Sequence, residues 1–88
     1  MKVEFTNVFH KQLSDIRDQK LLEEVGLCIQ NVISSKSIKD IHNLKKLKGY
    51  KSAYRIKTGN YRIGFVLRED IAIFSAVLNR KDIYRKFP

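Results

Sequence analysis

Tyr54-Arg55-Ile56-Lys57-Thr58-Gly59-Asn60-Tyr61-Arg62-Ile63-Gly64-Phe65 decides the fold of this chain. Two runs that alternate apolar and cationic residues flank a Gly-Asn pair. The pattern predicts a β-hairpin with a two-residue loop, in which Gly59 supplies the positive φ of a type II′ turn. Thr58 then faces Tyr61, Lys57 faces Arg62, Ile56 faces Ile63, Arg55 faces Gly64 and Tyr54 faces Phe65. Side chains alternate across a strand. Tyr54, Ile56, Ile63, Phe65 and Leu67 therefore share one face, which can pack on helices. Arg55, Lys57, Arg62 and Arg68 share the other, with Gly64 leaving room among them. Like charges set opposite one another cost a few tenths to about 1 kcal/mol. A bound anion would reverse the sign of that cost, whereas cationic side chains splayed into water would only reduce it.

Before the hairpin, residues 2–5 read as a short strand, and Thr6-Asn7 can cap a helix. Phe9, Leu13 and Ile16 recur at helical spacing, which predicts an amphipathic helix to about Arg17. A second helix follows from about Lys20 to Ser34, with the stripe Leu21, Leu22, Val25, Cys28, Ile29, Val32 and Ile33. The pair reads as a helical hairpin. Residues 38–53 are basic and less regular; Ile38, Ile41, Leu44 and Leu47 have a spacing that suits a helical turn, and Gly49 marks a turn. Strands are expected over 53–58, 61–68 and 71–78, with turns at Gly59-Asn60 and Glu69-Asp70. The order is β-α-α-β-β-β: an α+β fold with an antiparallel sheet, the helical hairpin on one face, and a short basic C-terminal tail. In that tail Asn79 is placed to cap a helical turn with Asp82 at its third position. Arg80 and Tyr84 would then lie on one side, and Ile83 and Phe87 on another, where they could anchor the tail.

Eighty-eight residues make one domain, 1–88. Eighteen Lys and Arg against nine Asp and Glu give a net charge of +9. The excess is uneven: residues 1–35 hold 4 basic and 5 acidic side chains, and residues 36–88 hold 14 and 4. Such asymmetry points to a polyanionic partner met by the second part of the chain. The single cysteine, Cys28, excludes an internal disulfide and reads as a small buried hydrophobe. The N-terminus lacks the apolar core of a signal peptide, and no run approaches the roughly 18 apolar residues of a membrane span. A cytoplasmic protein without a membrane partner is the expectation.

Leu47-Lys48-Gly49, Tyr54-Arg55-Ile56-Lys57, Gly59-Asn60-Tyr61-Arg62-Ile63-Gly64-Phe65 and Asn79-Arg80-Lys81-Asp82-Ile83-Tyr84, in that order, resemble the signature of the RelE/ParE toxin superfamily. Chain length and element order are similar too, so the resemblance covers essentially the whole chain. It implies the toxin of a type II toxin–antitoxin system, an endoribonuclease that cuts mRNA on the ribosome and is blocked by a cognate antitoxin. Carried over residue by residue, the active positions are Arg55, Lys57, Arg62, Arg80 and Tyr84, with Arg55 standing where lysine is frequent. Relatives that use histidine–aspartate sites do not fit, since His10 falls on the first helix and His42 before the sheet. Retention of Lys57, Arg62, Arg80 and Tyr84 together favours the nuclease branch over ParE-like inhibitors of DNA gyrase. A non-catalytic RNA- or phosphate-binding module is the third reading.

No carboxylate or cysteine cluster suggests a metal, and no cofactor is expected. The chemistry would use the substrate's 2′-hydroxyl, the group that separates RNA from DNA. Lys57 is the candidate base, because neighbouring cations disfavour a charged amine. Arg55, Arg62 and Lys48 are the candidate phosphate contacts. Arg80 would stabilise the leaving oxygen, and Tyr84 would stack on a base or orient the 2′-hydroxyl.

Overall fold

The 54–65 hairpin forms in the expected register in the computed structural model, which describes residues 1–88. Lys57 pairs with Arg62, Ile56 with Ile63 and Arg55 with Gly64. Gly59 has φ +55° and Asn60 is not left-handed, as a type II′ loop requires. Around this hairpin the elements run β1 (Lys2–Phe5), α1 (Asn7–Ser14), α2 (Gln19–Ser34), a 3-10 turn (Ile38–Asp40), β2 (Leu44–Lys46), β3 (Ala53–Thr58), β4 (Tyr61–Arg68), β5 (Ile71–Asn79) and α3 (Arg80–Lys86). The architecture is α+β, with sheet order β1-β5-β4-β3-β2.

The face of the sheet turned to α1 and α2 carries the main core. Ile56, Ile63, Phe65, Phe74 and Val77 meet Phe9, Val25 and Val32 of the helices, each at most 2% exposed. Each such side chain contributes about 1.5–3 kcal/mol by burial. Caps hold the helices in place: the Thr6 hydroxyl accepts from Phe9 N–H at 3.1 Å, and Asp18 accepts from Lys20 N–H at 3.0 Å. Gln12 reaches from α1 to accept the Val77 N–H at 2.8 Å, close to a β4–β5 register shift between Gly64 and Phe65. Cys28 is half-buried within α2, and that burial pushes its thiol pKa up.

The structure departs from the sequence reading in four places. First, α1 stops at Ser14, where Asp15 N–H turns back to the Gln12 and Leu13 carbonyls; Ile16 stays buried from the connection that follows. Second, the helical turn is confined to residues 38–40, and Leu44–Lys46 form a strand that the sequence reading did not expect. After the 3-10 turn, Asn43 (φ +59°) redirects the chain into β2, and the Asn43 carbonyl accepts from Lys57 N–H at 3.1 Å. A three-residue edge strand with two lysines resists further strand addition but leaves too short an alternation to read. Third, the sheet is mixed: β1 runs parallel to β5, which brings Phe5 over Phe74 at 5.4 Å between ring centroids.

The fourth departure concerns Gly64. The room it leaves is filled by the Phe87 ring, which a Cβ at Gly64 would meet at 2.6–2.7 Å. Ile83 and Phe87 of the C-terminal segment pack with Leu47, Ala53 and Ala76 in a second, smaller cluster. The sheet therefore carries helices on both faces, with α3 occupying part of the face that bears the cations.

Candidate active site

Sheet register and one helix position the site. On the face opposite the main core, Lys45 of β2 lies opposite Arg55 of β3, and Lys57 of β3 lies opposite Arg62 of β4. Their carrier strands are fixed by Ile56 and Ile63, which point the other way and are buried. Alternation thus converts the apolar requirement of one face into the placement of four cations on the other. The sequence reading that turned Ile56 and Ile63 inward and Lys57 and Arg62 outward matches this register.

Helix α3 supplies the remaining groups. Asn79 accepts from Asp82 N–H at 3.0 Å and donates to the Asp82 carboxylate at 3.0 Å, a cap satisfied in both directions. The Arg80 N–H donates to the Asn60 carbonyl at 2.9 Å, which ties the start of α3 to the hairpin loop. Ile83 (0% exposed) and Phe87 (7%) hold the inner side of the helix. Tyr84 consequently projects outward over the cations, and its ring lies 4.7 Å from the Arg55 guanidinium carbon, a cation–π distance.

Asn43, Lys45, Arg55, Lys57, Arg62 and Tyr84 line one cleft of about 250 Å³. Of the residues singled out from the sequence, Arg55, Lys57, Arg62 and Tyr84 meet there. Arg80 lines an adjoining hollow that shares Tyr84. Lys48 lies on the other side, in a hollow shared with Arg55 and Tyr84 and separate from Lys57 and Arg62. Lys45 and Asn43 escaped the sequence reading; the alternation Leu44-Lys45 was their only signal, and it is one residue pair long. His10 and His42 are exposed outside the cleft.

Electrostatics bear on two groups above all. The Arg62 guanidinium donates to the Gly59 and Tyr61 carbonyls at 3.1 and 2.9 Å, so one edge of its fork is held by the hairpin. A held guanidinium loses less freedom when an anion arrives. The Tyr84 phenol is drawn below its ordinary pKa, first by Arg80 as hydrogen-bond donor, against an upward push from desolvation, with the charges of Arg55, Arg80 and Arg62 adding to the downward pull. Cations therefore favour the phenolate on a solvent-facing ring. An array of guanidinium and ammonium donors around one phenol is suited to phosphate oxygens and to a proton held or moved beside them.

No protein-family model matches the chain. A curated relative, Toxin RelE3 of Methanocaldococcus jannaschii, is 42% identical over 89 residues, covering all of both chains. The RelB–RelE antitoxin–toxin complex from Methanococcus jannaschii contains a chain that superposes with a TM-score of 0.81 at 38% identity, covering 97% of this chain and 99% of that one. The intact RelBE toxin–antitoxin complex of E. coli is similar in fold, with a TM-score of 0.71 at 20% identity over 89% of this chain and 94% of that one. Full-length identity above 40% to a RelE toxin, joined to the same fold, places this chain within the RelE family of toxins.

Proposed function

We propose that the chain is an endoribonuclease that cleaves mRNA on the ribosome through attack of the substrate's own 2′-hydroxyl, and that an antitoxin holds it inactive. The observation that carries this reading is the cleft in which Lys45, Arg55, Lys57, Arg62 and Tyr84 converge. Lys57 is the group that takes the 2′-proton. The 2′-oxygen forms a bond to the adjacent phosphorus, and the P–O5′ bond breaks. Arg55 and Arg62 hold the non-bridging oxygens as charge builds. Tyr84 donates a hydrogen bond to the 2′-oxygen and orients it, an interaction that its acid-shifted phenol strengthens. Arg80 stabilises the departing 5′-oxygen, which takes its proton from water. The products are a 2′,3′-cyclic phosphate and a 5′-hydroxyl.

None of these groups is a histidine poised near neutrality, so free RNA should be cut slowly. A ribosome that orients the mRNA would supply the missing positional term. The related toxin from Methanococcus jannaschii is in a complex with the antitoxin RelB. An antitoxin segment that neutralises the cationic face would block the same cleft here. The test is ribosome-dependent cleavage of a defined mRNA with the ends mapped chemically. New 5′-hydroxyl ends support the proposal. Growth inhibition with intact mRNA and inhibited gyrase would refute it.

A further inference from the structure

Three hollows adjoin along the cationic face, and all share Tyr84 as a wall. The central cleft is the one assigned to the scissile phosphate. Toward the hairpin loop lies a hollow of about 530 Å³ lined by Asn60, Asn79, Arg80, Lys81 and Tyr84. Toward the β2–β3 connection lies one of about 570 Å³, whose lining includes Lys45, Lys48, Tyr50, Arg55, Tyr84 and Arg85. We infer that the hollow bounded by Lys48, Tyr50 and Arg85 is the subsite for the nucleotide on the 5′ side of the cut, with its base stacked on Tyr50 and its phosphate held by Lys48 and Arg85. This inference rests on the nuclease reading above.

The direction follows from the chemistry of the leaving group. The departing 5′-oxygen belongs to the downstream nucleotide. Arg80, which stabilises that oxygen, lines the hollow by the hairpin loop. The downstream nucleotide therefore lies there, and the upstream strand leaves across the opposite hollow. Tyr50 is built to receive it. Tyr50 is 51% exposed, which leaves it open to a base. Its backbone is held: Gly49 (φ +83°) makes the turn, the Lys46 ammonium donates to the Tyr50 carbonyl at 3.1 Å, and Leu47 N–H bonds to the Ala53 carbonyl at 2.9 Å. Arg85 is 76% exposed at its side chain and steadied by Asp82 at 3.2 Å. An exposed aromatic ring between cations is the arrangement that binds single-stranded nucleic acid, and it tolerates any base.

The experiment uses non-cleavable 2′-O-methyl oligonucleotides that span the scissile step, extended by one nucleotide at the 5′ or the 3′ end, with affinities from fluorescence anisotropy. For the unsubstituted protein, each extension should tighten binding. Tyr50→Ala should reduce the gain from the 5′ extension by roughly tenfold and leave the 3′ gain unchanged. Tyr50→Phe should keep both gains, and Arg85→Gln should lower the salt dependence of the 5′-extended ligand alone. Equal losses from both extensions, or no loss from either, would overturn the assignment. Weakened antitoxin binding with unchanged RNA affinities would give Tyr50 to the protein partner and overturn it as well. Because binding is read without cleavage, a protein that binds with this polarity but never cuts RNA would sink the nuclease reading and leave the ladder interpretable.

Discussion

Gly64→Ala is the perturbation whose outcome the structure constrains most tightly. The added methyl would lie 2.6–2.7 Å from Cδ2, Cε2 and Cγ of Phe87. Cγ lies on the χ2 axis, so turning the ring about χ2 cannot relieve all three contacts, and a χ1 change takes the ring out of its site. The ring must leave, and it is 7% exposed where it sits. Ejecting it forfeits about 2–3 kcal/mol of burial. For a domain of this size that corresponds to a fall in Tm of roughly 10–20 °C. Phe87 also anchors α3, whose seven residues are too few to persist as an isolated helix. Arg80 and Tyr84 would move with it, and a displacement of about 1 Å in a reacting group costs on the order of 10²-fold in rate. Cleavage should fall by at least that factor although the substitution touches no proposed reacting group. Thermal melting and cleavage of a defined mRNA are run on Gly64→Ala, Phe87→Ala and the double variant. Phe87→Ala alone should cost about 3 kcal/mol, and Gly64→Ala should add less than about 0.5 kcal/mol on that background. If Gly64→Ala melts and cleaves like wild type, or if the two costs simply add, the packing of Phe87 on Gly64 is not what holds α3.

Arg62→Ala and Arg80→Ala should each abolish mRNA cleavage and growth inhibition while the melting curve shifts little, because neither side chain belongs to a core; full cleavage by the double variant would refute the site. Tyr84→Phe should lower cleavage by roughly 10²-fold if the hydroxyl orients the 2′-hydroxyl, and leave it nearly intact if only the ring is used. In an absorbance titration, one tyrosine should ionise below the usual value near 10 and vanish in Tyr84→Phe; in Arg80→Ala it should move upward. A folded pKa below the unfolded one means the phenolate adds stability above the unfolded value, and this is lost as pH falls through the folded value. Stability should therefore gain a contribution as pH rises past the folded value, and Tyr84→Phe should remove that gain. Antitoxin association should slow steeply with added salt; a salt-independent rate would exclude steering by the cationic face.

How much of this was legible in the sequence depends on how local each feature is. The hairpin was legible because Gly59-Asn60 sets a register and the period of two then assigns every side chain to a face. The α3 start was legible because Asn79 and Asp82 satisfy one another within a single turn. The parallel pairing of β1 with β5 joins the two ends of the chain, and no local signal encodes it. Strand β2 was missed because its three residues contain one inward apolar side chain, Leu44, whose spacing to Leu47 and Ile41 also suits a helix. With it went Lys45 and Asn43 as part of the cleft. Gly64 was recognised as space, but what fills space depends on a ring much later in the chain.

The two-sidedness of strands β3 and β4 separates the inheritance of shape from that of chemistry. Ile56 and Ile63 answer to the packed interior, while Lys57 and Arg62, one residue away, stand on the face that meets whatever approaches from outside. A substitution on the outer set spares the core and relieves like-charge repulsion, so an inert chain should accumulate in a cell as readily as the active one. Surveillance by proteases, which acts on unfolded molecules, would not remove it. If an antitoxin restrains the chain as proposed, an inert copy that retains the outer shape would still occupy it. Loss of chemistry in this scaffold is thus invisible to quality control yet consequential for dosage.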